Sequence, residues 1–428
     1  MAATDAAAPH RSRHRTALAG GRRRTGDKRE LLVAGQEDSF GLALGWTLFN
    51  LVATQRGGLA MAALFNAAML LGVVLSAPVT GWLARHLHGR TLLYLAGATE
   101  ATLRVATLAA LLAGIDGRLV AAGVTVMHVA AYAGFAAMRA EVAAVDARPR
   151  AMTRYALSIA AVEAAGASVA ALLPLHRAAL AAVFVVYGLS LLPTILAARR
   201  SRVLSSPRNA PRALPVDRRD GVERPTRVER RRAEAAARAA TAVRLPFAVL
   251  AAGGGVMLLA AGPTLLSVAL ATELHGRHAV AGAAAAFSAG CLLSSWAVDR
   301  AGRLRLPAAV LWPLWGVGML LGWLLAPAHV AGLFLAQFLS GLSMTAFEGG
   351  MDARLAQRAR PGTVTTVLAW SASTRALGSA VAVRTLPALV AAPAVGTVAG
   401  TAAAALALVS LGAMVRTRLR SGRSELPA

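Results

Sequence analysis

Charged side chains and cysteine are scarce in this 428-residue chain. Charged residues make up 15% of it, whereas a soluble protein carries about a quarter. The single cysteine, Cys291, excludes an intrachain disulfide and a thiolate metal site. The GxSxG and HExxH signatures, a phosphate-binding glycine loop with lysine, and suitably spaced paired acids are also missing. These absences argue against an enzyme and predict no metal and no cofactor.

Long apolar runs dominate the sequence. Hydrophobic residues make up 57% of the chain, and the mean hydropathy is +0.57. An apolar run of about 20 residues is the length of a helix that crosses a bilayer. We therefore predict twelve membrane helices, near residues 39–55, 59–83, 91–113, 119–138, 153–173, 178–197, 245–271, 279–298, 306–326, 330–350, 364–386 and 392–414.

The distribution of arginine predicts the orientation of these helices. The net charge is +25, and 37 of the 45 basic residues fall in the two tails and in every second connection. Because cytoplasmic loops of membrane proteins are enriched in basic residues, we expect both termini and the central loop to be cytoplasmic. The charge therefore favours attraction to anionic membrane lipids over binding of nucleic acid.

The chain divides into two similar halves. Met138 and Met351 occupy equivalent positions in the halves, as do the LP pairs at 173–174 and 386–387. An even number of helices in each half makes the repeats parallel, related by an axis along the membrane normal. We predict a disordered basic tail (1–38), a six-helix bundle (39–197), a linker with a short amphipathic helix (198–244), a second bundle (245–415) and a cytoplasmic tail (416–428).

A charged turn between the eighth and ninth predicted helices is the most specific motif. Its sequence, SWAVDRAGR at 295–303, resembles the "GxLaDRxGRR" signature of the major facilitator superfamily, and GWLARHLHGR at 81–90 is a weaker counterpart. The resemblance implies an all-α integral membrane fold of twelve transmembrane helices, arranged as two parallel six-helix repeats around a central cavity. It also implies a transporter of small molecules, and we expect a monomer in a bacterial plasma membrane.

The signature predicts a gate on the cytoplasmic face. Arg85 replaces the usual acid of the signature, and we expect it to pair with Glu141, just as Asp299 would pair with Arg354. The alternative is that these residues are unrelated solvated loop charges. The predicted gate consists of Gly81, Arg85, Arg90, Glu141, Asp299, Arg300, Gly302, Arg303, Asp352 and Arg354.

Ionisable residues inside membrane helices are costly and mark functional sites by default. Glu163 lies about 15 Å into its predicted helix at 1.5 Å per residue, near the bilayer midplane. We predict that Glu163 accepts the coupling proton and that its repeat-mate Arg375 anchors an anionic group or tunes the carboxylate; the alternative is that both only fix helix packing. Other candidates for proton coupling are Glu100, His128 and Glu348. The spacing of Glu100 and Arg104 favours a structural ion pair.

The resemblance assigns the cavity to predicted helices 1, 4, 7 and 10. Few of their side chains are polar, which favours an amphiphilic ligand over a sugar. We therefore expect proton-coupled efflux of small amphiphilic compounds, although the GPxxGG run of many proton-coupled exporters is absent. A metabolite importer or exchanger, a transport-inactive sensor and a lipid-acting enzyme remain as alternatives. Besides Arg375, the predicted cavity residues are Asn50, Met127, Tyr132, Met257, Thr264, Gln337 and Ser340.

Overall fold

The computed structural model describes residues 10–87, 89–145, 149–174, 177–200, 247–304, 306–358 and 364–423. Helices and short connections account for all of these residues. The first half contains α1 (His10–His86), α2 (Gly89–Leu112), α3 (Gly117–Val145), α4 (Pro149–Leu172), α5 (Arg177–Leu189) and α6 (Leu192–Arg200). The second half contains α7 (Phe247–Ala260), α8 (Gly262–Leu265), α9 (Ser267–His275), α10 (Ala279–Arg303), α11 (Ala308–Leu321), α12 (Val330–Arg358), α13 (Val364–Leu389) and α14 (Val395–Arg423).

Seven helices in the described part of the chain are long and apolar enough to cross a membrane, so the protein is a multi-pass membrane protein. One of them, α1, contains the first two predicted helices. The helix is broken at Gly57 and Gly58, where Gly58 has a φ of 57° that favours glycine. A hydrogen bond joins Asn50 to Asn66, although residues this far apart in a straight helix would be separated by about 24 Å. Thus α1 folds back on itself as two arms.

Several predicted boundaries need correction. The predicted disordered tail is helical from His10 onward, and Ala34 and Asp38 are already buried. The first arm of α1 continues upstream because Asp38 has a buried charged partner in α2, described below. At the other end, α14 continues to Arg423, past the predicted end at 414. Residues 1–9 and most of the predicted linker (201–246) lie outside the described residues.

One apolar core lies within the first half, a second core contains residues of both halves, and three helix pairs join the halves. In the first half, α1 packs against α3 and α4, while in the second half α10 packs against α12, and α7 against α13. The approach of α10 to α12 is close, since a Cβ on Gly290 would lie 2.1 Å from the carbonyl oxygen of Phe338. Such close contact of small residues is typical of membrane helices. The halves meet where α4 contacts α10 and where α1 contacts α9 and α13.

Candidate functional site

A cavity of about 370 Å³ lies between the two halves. Its walls come from α1 and α4 of the first half and from α8, α9, α10 and α12 of the second. Most of the lining is alanine, leucine, valine and methionine. The polar and aromatic residues that interrupt this apolar lining include Trp46, Asn50, Asn66, Glu163, Thr264, Phe287, Cys291 and Gln337.

Four residues singled out in the sequence line this cavity: Asn50, Glu163, Thr264 and Gln337. Glu163 is the one carboxylate among the described lining residues. Ser340 lies directly behind the wall, where it accepts a hydrogen bond from Thr264 at 2.9 Å and donates one to the carbonyl of Met319 at 2.8 Å. It therefore orients Thr264 without facing the cavity.

The other predicted cavity residues lie elsewhere, which corrects the assignment of the cavity to predicted helix 4. Met127 is buried beside Thr107 and Tyr187, and Met257 lies in the apolar core. Tyr132 is 39% exposed. Met127 and Tyr132 miss the cavity because α3 is not among its walls, and Met257 misses it because α7 is not among them either. Sequence reasoning also missed Trp46, Asn66 and Phe287.

Asn50 and Asn66 form a fixed amide pair across the two arms of α1. The Nδ2 atom of Asn66 donates to Oδ1 of Asn50 at 2.6 Å and to the carbonyl of Ala62 at 2.9 Å. The Nδ2 atom of Asn50 donates to the carbonyl of Trp46 at 2.9 Å. These hydrogen bonds hold both amides in place at the cavity wall.

His128 supports the cavity wall from behind. Its ring lies edge-on against Trp46, with 5.0 Å between centroids, while Phe49 stacks on Trp46 at 5.2 Å. The Nδ1 atom of His128 is 2.9 Å from the carbonyl of Val124. His128 therefore contacts the cavity through Trp46 rather than directly.

Arg375 also lies outside the cavity lining and instead binds two acids of α12. Its guanidinium donates to Asp352 at 2.7 and 3.3 Å and to the hydroxyl of Ser371 at 2.6 Å. Glu348 is 3.7 Å from its Nε atom, an ion-pair distance that is too long for a hydrogen bond. The structure thus brings three predicted site residues, Arg375, Glu348 and Asp352, into one network that neither spacing nor the repeat predicted.

Glu100 and Arg104 form the ion pair that their spacing predicts, and Asp38 joins them from α1. Arg104 is fully buried, donates to Asp38 at 2.5 Å and to Ser190 at 3.1 Å, and lies over the ring of Tyr187. A space of about 10 Å³, lined by both carboxylates, adjoins the cluster, which is about the size of one water molecule. The sequence offered one signal for Asp38, an acid at the edge of the first apolar run.

Among the described residues of the predicted gate, no two form an ion pair with each other. Arg354 lies 6.0 Å from the ring of Trp312, Asp299 is exposed, and these two residues form no ion pair. Arg300 and Arg303 are exposed at the end of α10, and Arg90 is half-buried in α2. A Cβ atom added at Gly81 or Gly302 would have no atom within 4 Å. The side chains of Arg85 and Glu141 lie outside the described residues.

No metal site accompanies this arrangement in the described part of the chain, where no group of three or more His, Cys, Asp or Glu side chains is placed to hold an ion.

The fold is that of known membrane transporters. The chain is similar to the nucleoside transporter NupG, with a TM-score of 0.63 and 10% identity over 91% of this chain and 98% of that one. It is similar to the xylose transporter XylE from E. coli in its inward-open conformation. The TM-score is 0.61 and the identity 11%, over 90% of this chain and 95% of that one. The chain is also similar to the peptide transporter POT in complex with alafosfalin. The TM-score is 0.62 and the identity 13%, over 92% of this chain and 95% of that one.

These similarities show that the chain shares its fold with these three transporters. They extend over almost the full length of each transporter, and the identities of 10–13% show the fold alone. No model of a known protein family matches the chain, and no curated protein sequence matches it.

Proposed function

We propose that the protein is a secondary active transporter that moves small amphiphilic compounds out of the cell in exchange for protons. The observation that supports this proposal best is the cavity of about 370 Å³ between the two halves, lined by helices from both. A site shared by two packed bundles can be exposed to either side in turn when one bundle rocks against the other. The transporter fold supports the same interpretation.

The proposal includes a complete topology. It has twelve membrane crossings in two parallel repeats, with both termini and the basic linker in the cytoplasm of a bacterium. Two short helices, α5 and α6, would form one crossing, and α7, α8 and α9 another. The arginine distribution of the chain supports this orientation and an attraction to anionic lipids.

Glu163 is the residue we propose for proton coupling. It is half-buried on α4 and is the one carboxylate among the described residues that line the cavity. Glu100 and Glu348 are each close to an arginine away from this wall, and His128 is covered by Trp46. Protonation of Glu163 from one side and release to the other would link the proton gradient to reorientation of the halves.

A metabolite importer or exchanger is the second candidate. Three amide side chains, Asn50, Asn66 and Gln337, make the cavity more polar than the sequence predicted. Such groups suit a ligand with several hydrogen-bonding atoms. The transporters of similar fold are named for nucleosides, xylose and peptides, which fits this alternative about as well as efflux.

Accumulation of ethidium, a fluorescent amphiphilic cation, tests the first candidate. In cells producing the wild-type protein we expect lower accumulation than in cells with empty vector. Glu163→Gln and addition of a protonophore should each abolish the difference. Glu273→Gln is the matched control, because Glu273 is exposed and away from the cavity lining.

Three results would contradict this proposal. Equal ethidium accumulation with and without the protein would count against efflux of amphiphilic cations. Efflux that persists in Glu163→Gln would remove Glu163 from the coupling step. Higher accumulation in cells with the protein would support import.

A further inference from the structure

We infer that Asp38, Glu100 and Arg104 form a buried proton-binding site, in which the two carboxyl groups share one proton while the guanidinium is charged. The site lies outside the cavity lining and is separate from Glu163, the residue proposed above for proton coupling. Its proton stays with the folded protein and balances the charge of the cluster. The site is therefore independent of which compound the cavity carries.

One guanidinium bridges the two carboxyl groups. The Nη2 atom of Arg104 donates to Oδ1 of Asp38 at 2.5 Å, and the same nitrogen donates to Oε1 of Glu100, which also accepts from Nε at 2.9 Å. The two carboxyl oxygens are therefore separated by no more than two hydrogen-bond lengths. Two carboxylates that share a site at this distance repel each other, so ionisation of both is disfavoured.

The charges of the three side chains do not cancel if both carboxyl groups are ionised. Two carboxylates and one guanidinium leave one negative charge unbalanced. The side chains of Glu100 and Arg104 are 2% and 0% exposed, and that of Asp38 is 13% exposed. An unbalanced charge is costly when it is buried to this degree. One proton on the carboxyl pair makes the whole cluster neutral.

The helices packed around the cluster do not supply the missing positive charge. Among the described residues, neither Asp38 nor Glu100 has a second ion-pair partner. The other titratable side chains that interact with the cluster are Tyr187 of α5, whose ring lies next to the guanidinium, and His128 of α3. Neither of them forms a hydrogen bond with a carboxyl oxygen. From α6 comes Thr194, which is uncharged.

Water can reach the carboxyl pair. The space of about 10 Å³ beside the cluster is lined by Asp38, Glu100 and Thr194, and it is about the size of one water molecule. Asp38 is the more exposed of the two acids. The shared proton can therefore exchange with solvent at Asp38, whereas Glu100 is shielded.

The shared proton makes the packing of α1 sensitive to pH. Asp38 lies on the first arm of α1, which also carries Trp46 and Asn50 of the cavity wall. A carboxyl group that is protonated in the folded state and ionised in the unfolded state makes folding less favourable as the pH rises. At alkaline pH, loss of the proton leaves the unbalanced charge buried and weakens the attachment of this arm to α2.

Infrared absorption of the full-length protein tests this site, because a protonated carboxyl group has a carbonyl band that a carboxylate lacks. At neutral pH we expect wild type to show the intensity of one such group from the cluster. Asp38→Asn and Glu100→Gln should each abolish it, since either variant leaves one carboxylate for one guanidinium. Glu37→Gln, at the exposed neighbouring position, should retain it. Glu163→Gln, which removes the carboxyl group of the cavity, should retain it as well.

The midpoint of thermal unfolding in detergent provides a second readout. We expect Asp38→Asn to be as stable as wild type at neutral pH. Between neutral and alkaline pH the midpoint of wild type should fall further than that of Asp38→Asn, which has no shared proton to lose.

Four results would overturn the shared proton. They are the absence of the band in wild type, no loss of intensity in Asp38→Asn or in Glu100→Gln, an equal fall of the midpoint with pH in wild type and Asp38→Asn, and failure of Asp38→Asn to fold. The last result counts because an amide has nearly the shape of a neutral carboxyl group. A midpoint that depends on sodium, without a carboxyl band, would replace the proton by a metal cation.

Discussion

Arg104 combines a complete set of partners with complete burial. It is 0% exposed and contacts two carboxylates, a hydroxyl and an aromatic ring that come from three parts of the chain. A buried charge of this kind is tolerated only when its partners satisfy it. The cluster therefore fixes the first arm of α1 against α2 and the end of α5.

Replacement of Arg104 by methionine should strongly destabilise the protein, because Asp38 and Glu100 would remain buried without their cation. We expect a loss of about 3–5 kcal/mol, typical of breaking a buried pair by removing one partner. The measurement is the midpoint of thermal unfolding in detergent. Arg118→Met, at an exposed position, should leave the midpoint nearly unchanged.

A second set of variants separates charge from packing at this cluster. Asp38→Asn and Glu100→Gln, added to Arg104→Met, remove the unpaired charges and should recover part of the stability. If the triple variant is no more stable than Arg104→Met, the loss comes from packing rather than from unpaired charge.

The same cluster shows which site residues a sequence can reveal. The pairing of Glu100 with Arg104 follows from their positions four residues apart on one helix face. Asp38 lies 66 positions from Arg104 in sequence, and Asp352 lies 23 positions from Arg375. Such pairings depend on how helices pack, which local periodicity does not encode.

At the scale of helices, two arginines cap the C-terminal ends of other helices: Arg56 next to the break in α1, and Arg277 in the connection between α9 and α10. Arg56 donates to the carbonyls of Leu111 and Leu112 at the end of α2, within the first half. Arg277 donates to the carbonyls of Ala170 and Leu173 at the end of α4, and so joins the second half to the first. Carbonyls at a helix C-terminus lack partners within the helix and carry partial negative charge, which a guanidinium satisfies.

Removal of Arg277 should therefore loosen the contact between the halves, and removal of Arg56 should not. Ala171, next to the capped carbonyls, is fully buried, so Ala171→Cys in a Cys291→Ser background should react slowly with a maleimide. We expect Arg277→Gln to raise its rate of alkylation several-fold, and Arg56→Gln to leave it unchanged. Equal rates in all three backgrounds would show that Arg277 does not hold this end closed.

Hydropathy located the apolar segments well and the helix boundaries poorly. The predicted segments near 279–298 and 330–350 correspond to α10 and α12. Both segments near 39–55 and 59–83 fall within the single helix α1. The segments near 178–197 and 245–271 are each divided into shorter helices. Hydropathy averages over about 20 residues. It therefore cannot show a break such as the bend at Ala261, which separates α7 from α8 within an apolar run.

At the scale of the whole molecule, hydrogen bonds between described residues join the two halves at several points. Besides Arg277, described hydrogen bonds across the boundary join Ser168 to Ala281, Ser288 to Ala160 and Ser373 to Val74, with distances of 3.3–3.4 Å. Hydrogen bonds of this length are weak. These hydrogen bonds therefore add little to the interface, whose buried apolar core combines Leu51, Ala63 and Ala171 of the first half with residues of the second.

A reversible cross-link at the Arg277 end should stop transport if the halves rock against each other. Ser168→Cys with Ala281→Cys, in a Cys291→Ser background, places two thiols where the Ser168 hydroxyl lies 3.4 Å from the Ala281 carbonyl. We expect oxidation to abolish ethidium efflux and reduction to restore it. Ser410→Cys with Val310→Cys is the matched control, because that contact of 3.2 Å lies within the second half, and its oxidation should leave efflux intact. Transport that continues through a completed Ser168–Ala281 cross-link would mean that this end need not open, and a motion other than rocking of the two halves would have to expose the cavity.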